Sequence, residues 1–307
     1  MATQGVIGPE GDSEQQGETQ MTVFDQRRCE LGEGALWHPL RRQIFWFDIL
    51  GKGLLSRDGD RELRWSFDEL VSAAGWIDRE HLLVASETAL WRFNVETGAR
   101  ERVVPVSAEL VHLRSNDGRA DPWGGFWIGT MGKNSENRAG SIWRLWGGEL
   151  RKLFSGISIA NAICFDAERE LAYFADTGLG TVWSQGLDPA AGWPSDEPRV
   201  FLQLGGTGFN PDGAVVDSEG RFWNAQWGAG RVACYGPDGA FLREERFDAG
   251  QLSCPAFGGE DFHTLFVTSA QQGMDAAARE AEPNAGATFG RHLPDVRGTR
   301  EPAVVLG

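Results

Sequence analysis

Oxygen-bearing side chains recur along this sequence at intervals of 39 to 51 residues, each just before a short apolar stretch. They are Glu33, Ser72, Asn116, Asn161, Asp212 and Ser253. Carboxylate and amide oxygens suit hard divalent cations such as calcium, magnesium and manganese. Zinc and iron(II) also accept carboxylate oxygen. Two carboxylates and one amide would balance one such ion and leave positions open for water and substrate.

A simpler interpretation exists for each position. A polar residue at the start of a strand can solvate a water-filled channel, and the Pro-Asp-Gly sequence at 211–213 is a common turn. All six positions share one register, however, and four of them carry an acid or an amide. That pattern favours a metal site over six unrelated polar residues.

These positions belong to a repeated unit of about 40–50 residues, the length of a four-stranded propeller blade. After a turn, each unit continues into a segment rich in Val, Ile, Phe and Trp, such as IFWFDI at 44–49 and FWIGT at 126–130. Helical periodicity is absent between residues 30 and 270. The repeats predict an all-β, six-bladed β-propeller with four-stranded blades and a central metal site, since equivalent positions of successive blades face one channel.

The ends of the chain complete this prediction. Residues 21–31 are predicted to supply the strand that closes the last blade, and 273–288 to form a loop. Residues 1–20 are polar and predict a disordered N-terminal extension, ahead of a single propeller domain at 21–307.

Composition excludes several classes of function. The net charge of −15 disfavours binding to nucleic acid or to anionic membranes, because both need basic patches. The four cysteines form no CxxC pair, and the N-terminus carries no signal-peptide pattern, so reduced thiols and a cytoplasmic location are expected. The five histidines show no zinc-binding spacing, and no GxSxG motif is present. The expected partner is a small molecule, bound by a monomer or weak homo-oligomer.

Several separated motifs resemble the senescence marker protein (regucalcin)/gluconolactonase family, in that family's order and spacing. The resemblance covers roughly residues 24–290. Its matching segments are LGEGALWHPLRRQIFWFDI at 31–49, RSNDGRADPWGGFWIGTM at 114–131, IANAICFDAERELAYFADT at 159–177, NPDGAVVDSEGRFWNAQWGAGRV at 210–232 and CPAFGGEDFHTLFVTSAQQGMD at 254–275.

The resemblance implies a sugar lactonase whose divalent metal is held by Glu33, Asn161 and Asp212. It also implies that Arg114 and Asn116 contact the substrate. Two departures stand out: Ala162 replaces the family's usual glycine, and a segment that is acidic in some members carries Lys133. Lys133 is therefore a candidate for the substrate-binding edge of the pocket.

These residues suggest a mechanism in which the metal polarises the lactone carbonyl and Asp212 is the general base. Asp117 is either a carboxylate supporting the site or an ordinary turn residue. Two alternatives to a lactonase remain open: a non-catalytic divalent-metal-binding or regulatory propeller, and a promiscuous esterase or phosphotriesterase at the same metal.

Overall fold

Each repeat folds as an antiparallel four-stranded sheet in the computed structural model, which describes residues 21–307. The expectation for residues 1–20 lies outside this range. The first three blades comprise β2 Gly32–His38, β3 Gln43–Asp48, β4 Gly53–Asp58 and β5 Arg61–Ser66; β6 Val71–Trp76, β7 His81–Ser86, β8 Ala89–Asn94 and β9 Arg100–Pro105; β10 Leu113–Ala120, β11 Phe126–Gly132, β12 Gly140–Trp146 and β13 Glu149–Ile157. The last three comprise β14 Ala160–Asp166, β15 Leu171–Asp176, β16 Thr181–Gly186 and β17 Arg199–Gln203; β18 Asn210–Val216, β19 Phe222–Trp227, β20 Arg231–Tyr235 and β21 Phe241–Arg246; β22 Leu252–Gly258, β23 Thr264–Ser269, β24 Thr288–His292 and β1 Thr22–Asp25.

The sixth blade joins the two ends of the chain. Strand β1 pairs with β24, as predicted for residues 21–31, and the first strand of each blade packs beside that of the next. The all-β six-bladed propeller is therefore confirmed. The loop predicted at 273–288 is wrong in part, since helix α1 spans Ala276–Ala281 and its N-terminus is capped by the Asp275 side chain. The alanine-rich run favours a helix, but a helix of only six residues is too short to show a helical periodicity in the sequence.

Burial decreases from the first strand of a blade to the fourth. The first strands are almost entirely buried, whereas the fourth strands β5, β13 and β21 carry exposed charged residues. Charges on outer strands oppose edge-to-edge pairing with other molecules. Trp46, Trp127 and Trp223, on the second strands of alternate blades, are fully buried.

The end of the chain crosses one face of the propeller. We call residues 296–306 the C-terminal strap. Val304 N donates to the carbonyl of Trp76 at 2.8 Å, and the Trp76 indole N–H donates to the carbonyl of Glu301 at 2.9 Å. Val305 N donates to the carbonyl of Gly124, also at 2.8 Å. The strap thus connects blades 2 and 3 at the end of the channel opposite the starts of the first strands.

No helix within residues 21–307 has the length and apolar character required to cross a membrane. All four cysteines are buried free thiols.

Candidate functional site

Every first strand contains a β-bulge or register shift at its predicted anchor residue. In blade 1 the shift lies between Glu33 and Leu36, and the other five blades shift at the equivalent place. A bulge inserts an extra residue, twists the strand locally and re-aims a side chain. The repeated bulge explains how polar residues leave the alternation of a buried strand and turn toward the axis.

Two of these bulges use a left-handed backbone directly after the anchor residue. Gly34, after Glu33, has φ +58°, and Ala162, after Asn161, has φ +56°. Glycine adopts this conformation freely, whereas alanine is strained in it. The departure at Ala162 therefore preserves the turn and leaves Asn161 in place.

A cavity of about 200 Å³ opens at the end of the channel where the first strands start. All six predicted site residues line it: Glu33, Arg114, Asn116, Lys133, Asn161 and Asp212. They come from blades 1, 3, 4 and 5, so the propeller brings residues that are far apart in sequence to a single cavity. Trp227 also lines the cavity.

Three polar side chains form a hydrogen-bonded chain along one wall. Asn116 Nδ2 donates to Asn161 Oδ1 at 3.0 Å and to the carbonyl of Ala160 at 2.9 Å. Asn161 Nδ2 donates to Thr177 Oγ1 at 2.8 Å, and Thr177 Oγ1 donates to the carbonyl of Pro211 at 2.6 Å. This chain crosses three blades and holds the Asn161 amide in one orientation.

The two carboxylates of the cavity, Glu33 and Asp212, lie close enough to interact. Burial raises the pKa of Glu33 to about 8, and burial followed by the charge of Glu33 raises the pKa of Asp212 well above its usual value. Asp212 Oδ1 is buried and has no hydrogen-bond partner within the range 21–307. Two buried neighbouring carboxylates with an unsatisfied oxygen are the surroundings that a divalent cation stabilises.

The remaining acids near the axis do not complete a metal site of their own. No group of three His, Cys, Asp or Glu residues in the described part of the chain could hold a metal ion. A cation at this cavity would therefore need the Asn161 amide oxygen beside Glu33 and Asp212. The set present fits an oxygen-ligated divalent ion such as calcium or magnesium.

Two cationic side chains flank this cluster. Arg114 is 6 % exposed, and its Nη1 donates to Asn116 Oδ1 at 2.6 Å and to the carbonyl of Ser115 at 2.9 Å. Burial lowers the pKa of Arg114 to about 10, while the negative charges of Glu33 and Asp212 act in the opposite direction. The guanidinium therefore stays charged at neutral pH. Lys133 is more exposed, lies at the rim and forms an ion pair with Glu87.

The outer members of the predicted ring have a different role. Ser72 Oγ donates to Ser115 Oγ at 2.8 Å, and Ser253 Oγ donates to the carbonyl of Gly32. These hydroxyls link neighbouring blades, and neither serine lines the cavity. The ring predicted from sequence therefore contributes four members to the cavity rather than six.

Asp117 is not a turn residue. It is 4 % exposed within β10, where its carboxylate accepts hydrogen bonds from Gly118 N at 2.9 Å and Ile163 N at 2.7 Å. Burial raises its pKa.

Sequence reasoning did not identify several residues of the cavity wall. Thr177 follows the second strand of blade 4, Ser135 lies in a loop, and Gln272 follows the last residue of β23 by three positions. Their only sequence signal is that they lie at or beyond the ends of second strands, on the side where the first strands begin. A second cavity of about 290 Å³ lies beneath the C-terminal strap and is lined by none of the predicted site residues.

Comparison with known proteins gives concordant matches. A family described as "SMP-30/Gluconolactonase/LRE-like region" matches residues 31–271. The chain is 40% identical over 286 residues to a protein named "Putative sugar lactone lactonase" from Rhizobium meliloti (strain 1021), covering 92% of this chain and 97% of that one. It is 36% identical over 278 residues to an L-arabinolactonase from Azospirillum brasilense, covering 88% and 91%.

A solved structure shares the fold over nearly the whole chain. It is a calcium-binding protein, regucalcin, from Agrobacterium tumefaciens, with a TM-score of 0.90 and 36% sequence identity. The match covers 92% of this chain and 97% of the other.

Proposed function

The chain belongs to the SMP-30/Gluconolactonase/LRE-like family, and from this premise we propose how it works as a lactonase, a hydrolase of cyclic ester bonds. The substrate is a sugar lactone of five or six carbons, and the product is the corresponding sugar acid. The reaction depends on one divalent cation held by Glu33, Asn161 and Asp212. The observation that carries this proposal is the convergence of two buried carboxylates and one oriented amide on a cavity that also contains Arg114.

When bound, the cation would polarise the lactone carbonyl as a Lewis acid and offset the two carboxylate charges. Asp212 takes a proton from the attacking water, because its Oδ1 accepts no hydrogen bond from residues 21–307. The water oxygen bonds to the carbonyl carbon, the ring C–O bond breaks, and Asp212 returns the proton to the departing ring oxygen. The sugar acid then ionises and releases one proton to solvent.

Arg114 and Asn116 orient the sugar by hydrogen bonds to its hydroxyl groups, and the charge of Arg114 opposes the negative charge that develops on the carbonyl oxygen. Each is buried and held by its neighbours, so little conformational entropy is lost when substrate binds. Lys133 binds the outer part of the sugar at the rim. Glu33 is mainly a metal ligand.

A metal-binding propeller without turnover would have no use for a substrate-orienting arginine and amide beside an open cation site. Titration of released acid at constant pH tests the difference, with five- and six-carbon aldonolactones, with EDTA, and after return of calcium, zinc, magnesium, manganese or iron(II). We expect acid release above the spontaneous rate on at least one lactone, its loss with EDTA, and recovery with at least one ion. Tight metal binding with no acid release on any lactone would instead support the binding protein.

A further inference from the structure

The backbone N–H and C=O of Ile163 are both hydrogen-bonded by side chains of the neighbouring blade. Asp117 accepts a hydrogen bond from Ile163 N at 2.7 Å, and Arg119 Nε donates to the carbonyl of Ile163 at 3.3 Å. Asp117 and Arg119 are two residues apart on β10, and both are buried. One strand therefore fixes the donor and the acceptor of a single residue on the next.

Ile163 lies two residues after Asn161, within the bulge that turns Asn161 toward the cavity. The residue between them, Ala162, has the left-handed φ of +56°. A non-glycine residue in this region costs about 1–2 kcal/mol and persists where the surroundings impose it. The two bonds to Ile163 are such a constraint, because they hold the chain directly after the strained position.

Arg119 is in turn held by the C-terminal strap. It forms a buried ion pair with Glu301, and its Nη2 donates to the carbonyl of Ala214 at 3.1 Å and, more weakly, to that of Pro255 at 3.4 Å. Its contacts thus reach the first strands of blades 4, 5 and 6 as well as the strap. Without Glu301, the guanidinium would be a buried charge with Asp117 as the remaining carboxylate that acts on it.

We propose that Asp117, Arg119 and Glu301 are positioning residues for the metal site, and we call them the clamp. Together they hold the backbone of Ile163 and thereby the bulge that orients Asn161 toward the cavity. None of the three lines the cavity that holds the metal ligands, so they act through Asn161. The strap thereby connects one end of the channel to the ligand geometry at the other. This inference rests on the proposed metal site.

Two near-isosteric substitutions test the clamp. In Asp117→Asn, one side-chain oxygen remains for two backbone N–H donors, so the bond to Ile163 or to Gly118 is lost. In Glu301→Gln, an oxygen still accepts from Arg119 but the charge is gone, and Arg119 is drawn toward Asp117 and away from the Ile163 carbonyl. If Asp117→Asn does not fold, Glu301→Gln decides the outcome.

The readouts are the dissociation constant for calcium and the hydrogen–deuterium exchange of the peptide containing Ile163 in metal-free protein. We expect calcium affinity to fall by about 10- to 100-fold, as is typical when a residue that orients a ligand is lost. Exchange at Ile163 should accelerate beyond that of neighbouring strands. The control is Asp121→Asn, which breaks a different buried ion pair of blade 3, that of Asp121 with Arg144 at 2.7 Å. It should lower the melting temperature without changing either readout.

Folded variants that bind calcium within twofold of the unaltered protein, with unchanged exchange at Ile163, would overturn the clamp. So would equal losses in Asp121→Asn. If the unaltered protein binds no divalent ion and hydrolyses no lactone, the proposed function fails, while exchange in metal-free protein still reports on the clamp itself.

Discussion

Asn161 and Thr177 are joined by a hydrogen bond whose direction is chemically determined. The Thr177 hydroxyl donates its single hydrogen to the carbonyl of Pro211 at 2.6 Å. It can therefore only accept a hydrogen bond from Asn161. The Asn161 NH₂ group must therefore face Thr177, which leaves the amide oxygen toward Asn116 and the cavity. A threonine that sequence analysis overlooked thus sets the orientation of a proposed metal ligand.

Replacing this hydroxyl should weaken metal binding while preserving the fold. Thr177→Val keeps the shape of the side chain but removes both hydrogen bonds, so the Asn161 amide can rotate. We expect calcium affinity to fall by about tenfold, measured by isothermal titration. Thr181→Val removes a hydroxyl bonded to Gln203 in the same blade, away from the cavity, and should leave affinity unchanged. Equal affinities for all three proteins would contradict the orienting role.

Asp212→Asn separates catalysis from folding. Loss of the general base should lower kcat by about 100-fold or more in the acid-release assay. The melting temperature of the metal-free protein should not fall, because a buried carboxylate with a raised pKa has been replaced by a neutral amide. Asp217→Asn should lower the melting temperature and leave kcat unchanged, since Asp217 lies outside the cavity and accepts hydrogen bonds from Arg221 and the Trp223 indole. Retention of most of the rate in Asp212→Asn would remove it as the base.

A pair of glycines with the same backbone angle can separate strain from steric clash. Gly34 and Gly59 both have φ +58°, but a Cβ at Gly34 would overlap the carbonyl oxygen of Ser72, whereas one at Gly59 meets nothing within 4 Å. Gly59→Ala should cost about 1 kcal/mol from backbone strain alone. Gly34→Ala should cost about 2 kcal/mol more from overpacking and should also abolish calcium binding, since Glu33 is displaced. Urea unfolding and calcium titration measure both effects; equal costs for the two variants would show that the bulge tolerates a side chain.

The exposed lysine at the rim is the expected source of selectivity for substrate charge. Lys133→Ala should raise KM for a lactone carrying a carboxylate by about tenfold, the size of one charge-assisted hydrogen bond. The increase should be smaller for a neutral lactone of the same ring size. Lys152→Ala removes a lysine that packs over Trp143 on an outer strand, and it should change neither KM. An equal change in KM for both lactones in Lys133→Ala would show that Lys133 does not recognise the charge of the substrate.

Stability should fall in mild acid because of His38. Burial lowers the pKa of His38 to about 4, and its Nε2 donates to the carbonyl of Asp78 at 2.9 Å. Between pH 6.5 and 4 the unfolded chain binds a proton here that the folded chain does not, so stability is complete above pH 6.5 and decreases as pH falls. The loss between pH 7 and 4.5 is at most about 2.5 kcal/mol.

Urea unfolding of the unaltered protein and His38→Gln at both pH values tests this. Glutamine retains an N–H donor but does not titrate, so the stability gap between the two proteins should narrow at pH 4.5. A gap that is independent of pH would mean that His38 does not account for the acid sensitivity.

The propeller and four members of its polar ring were predictable because the evidence for them repeats. A single Asp before a glycine is ambiguous, but the same register in six units is not, and Glu33, Asn116, Asn161 and Asp212 do line one cavity. The failures occur where a residue contributes once. Helix α1 is a single short segment, and whether a serine at an anchor reaches the axis depends on its neighbour's hydroxyl or carbonyl.

The supporting residues could not be read from the repeat for the same reason. Thr177 follows the end of a second strand, and Glu301 lies in a strap that belongs to no blade. Their importance comes from contacts between segments far apart in sequence, which neither composition nor periodicity encodes. Asp117 was ambiguous from sequence because NDG is also a turn sequence; only its burial in β10 shows which interpretation holds.

The sixth blade has a consequence for how the molecule is made. Its outermost strand, Thr22–Asp25, pairs with Thr288–His292, so the first strand of the propeller cannot pair until the last one has been translated. During synthesis the growing chain can build separate sheets, but it cannot lock them into a circle until Thr288–His292 has left the ribosome. Contacts this distant in sequence slow folding, because the long intervening chain must be closed into a loop before the contacts form.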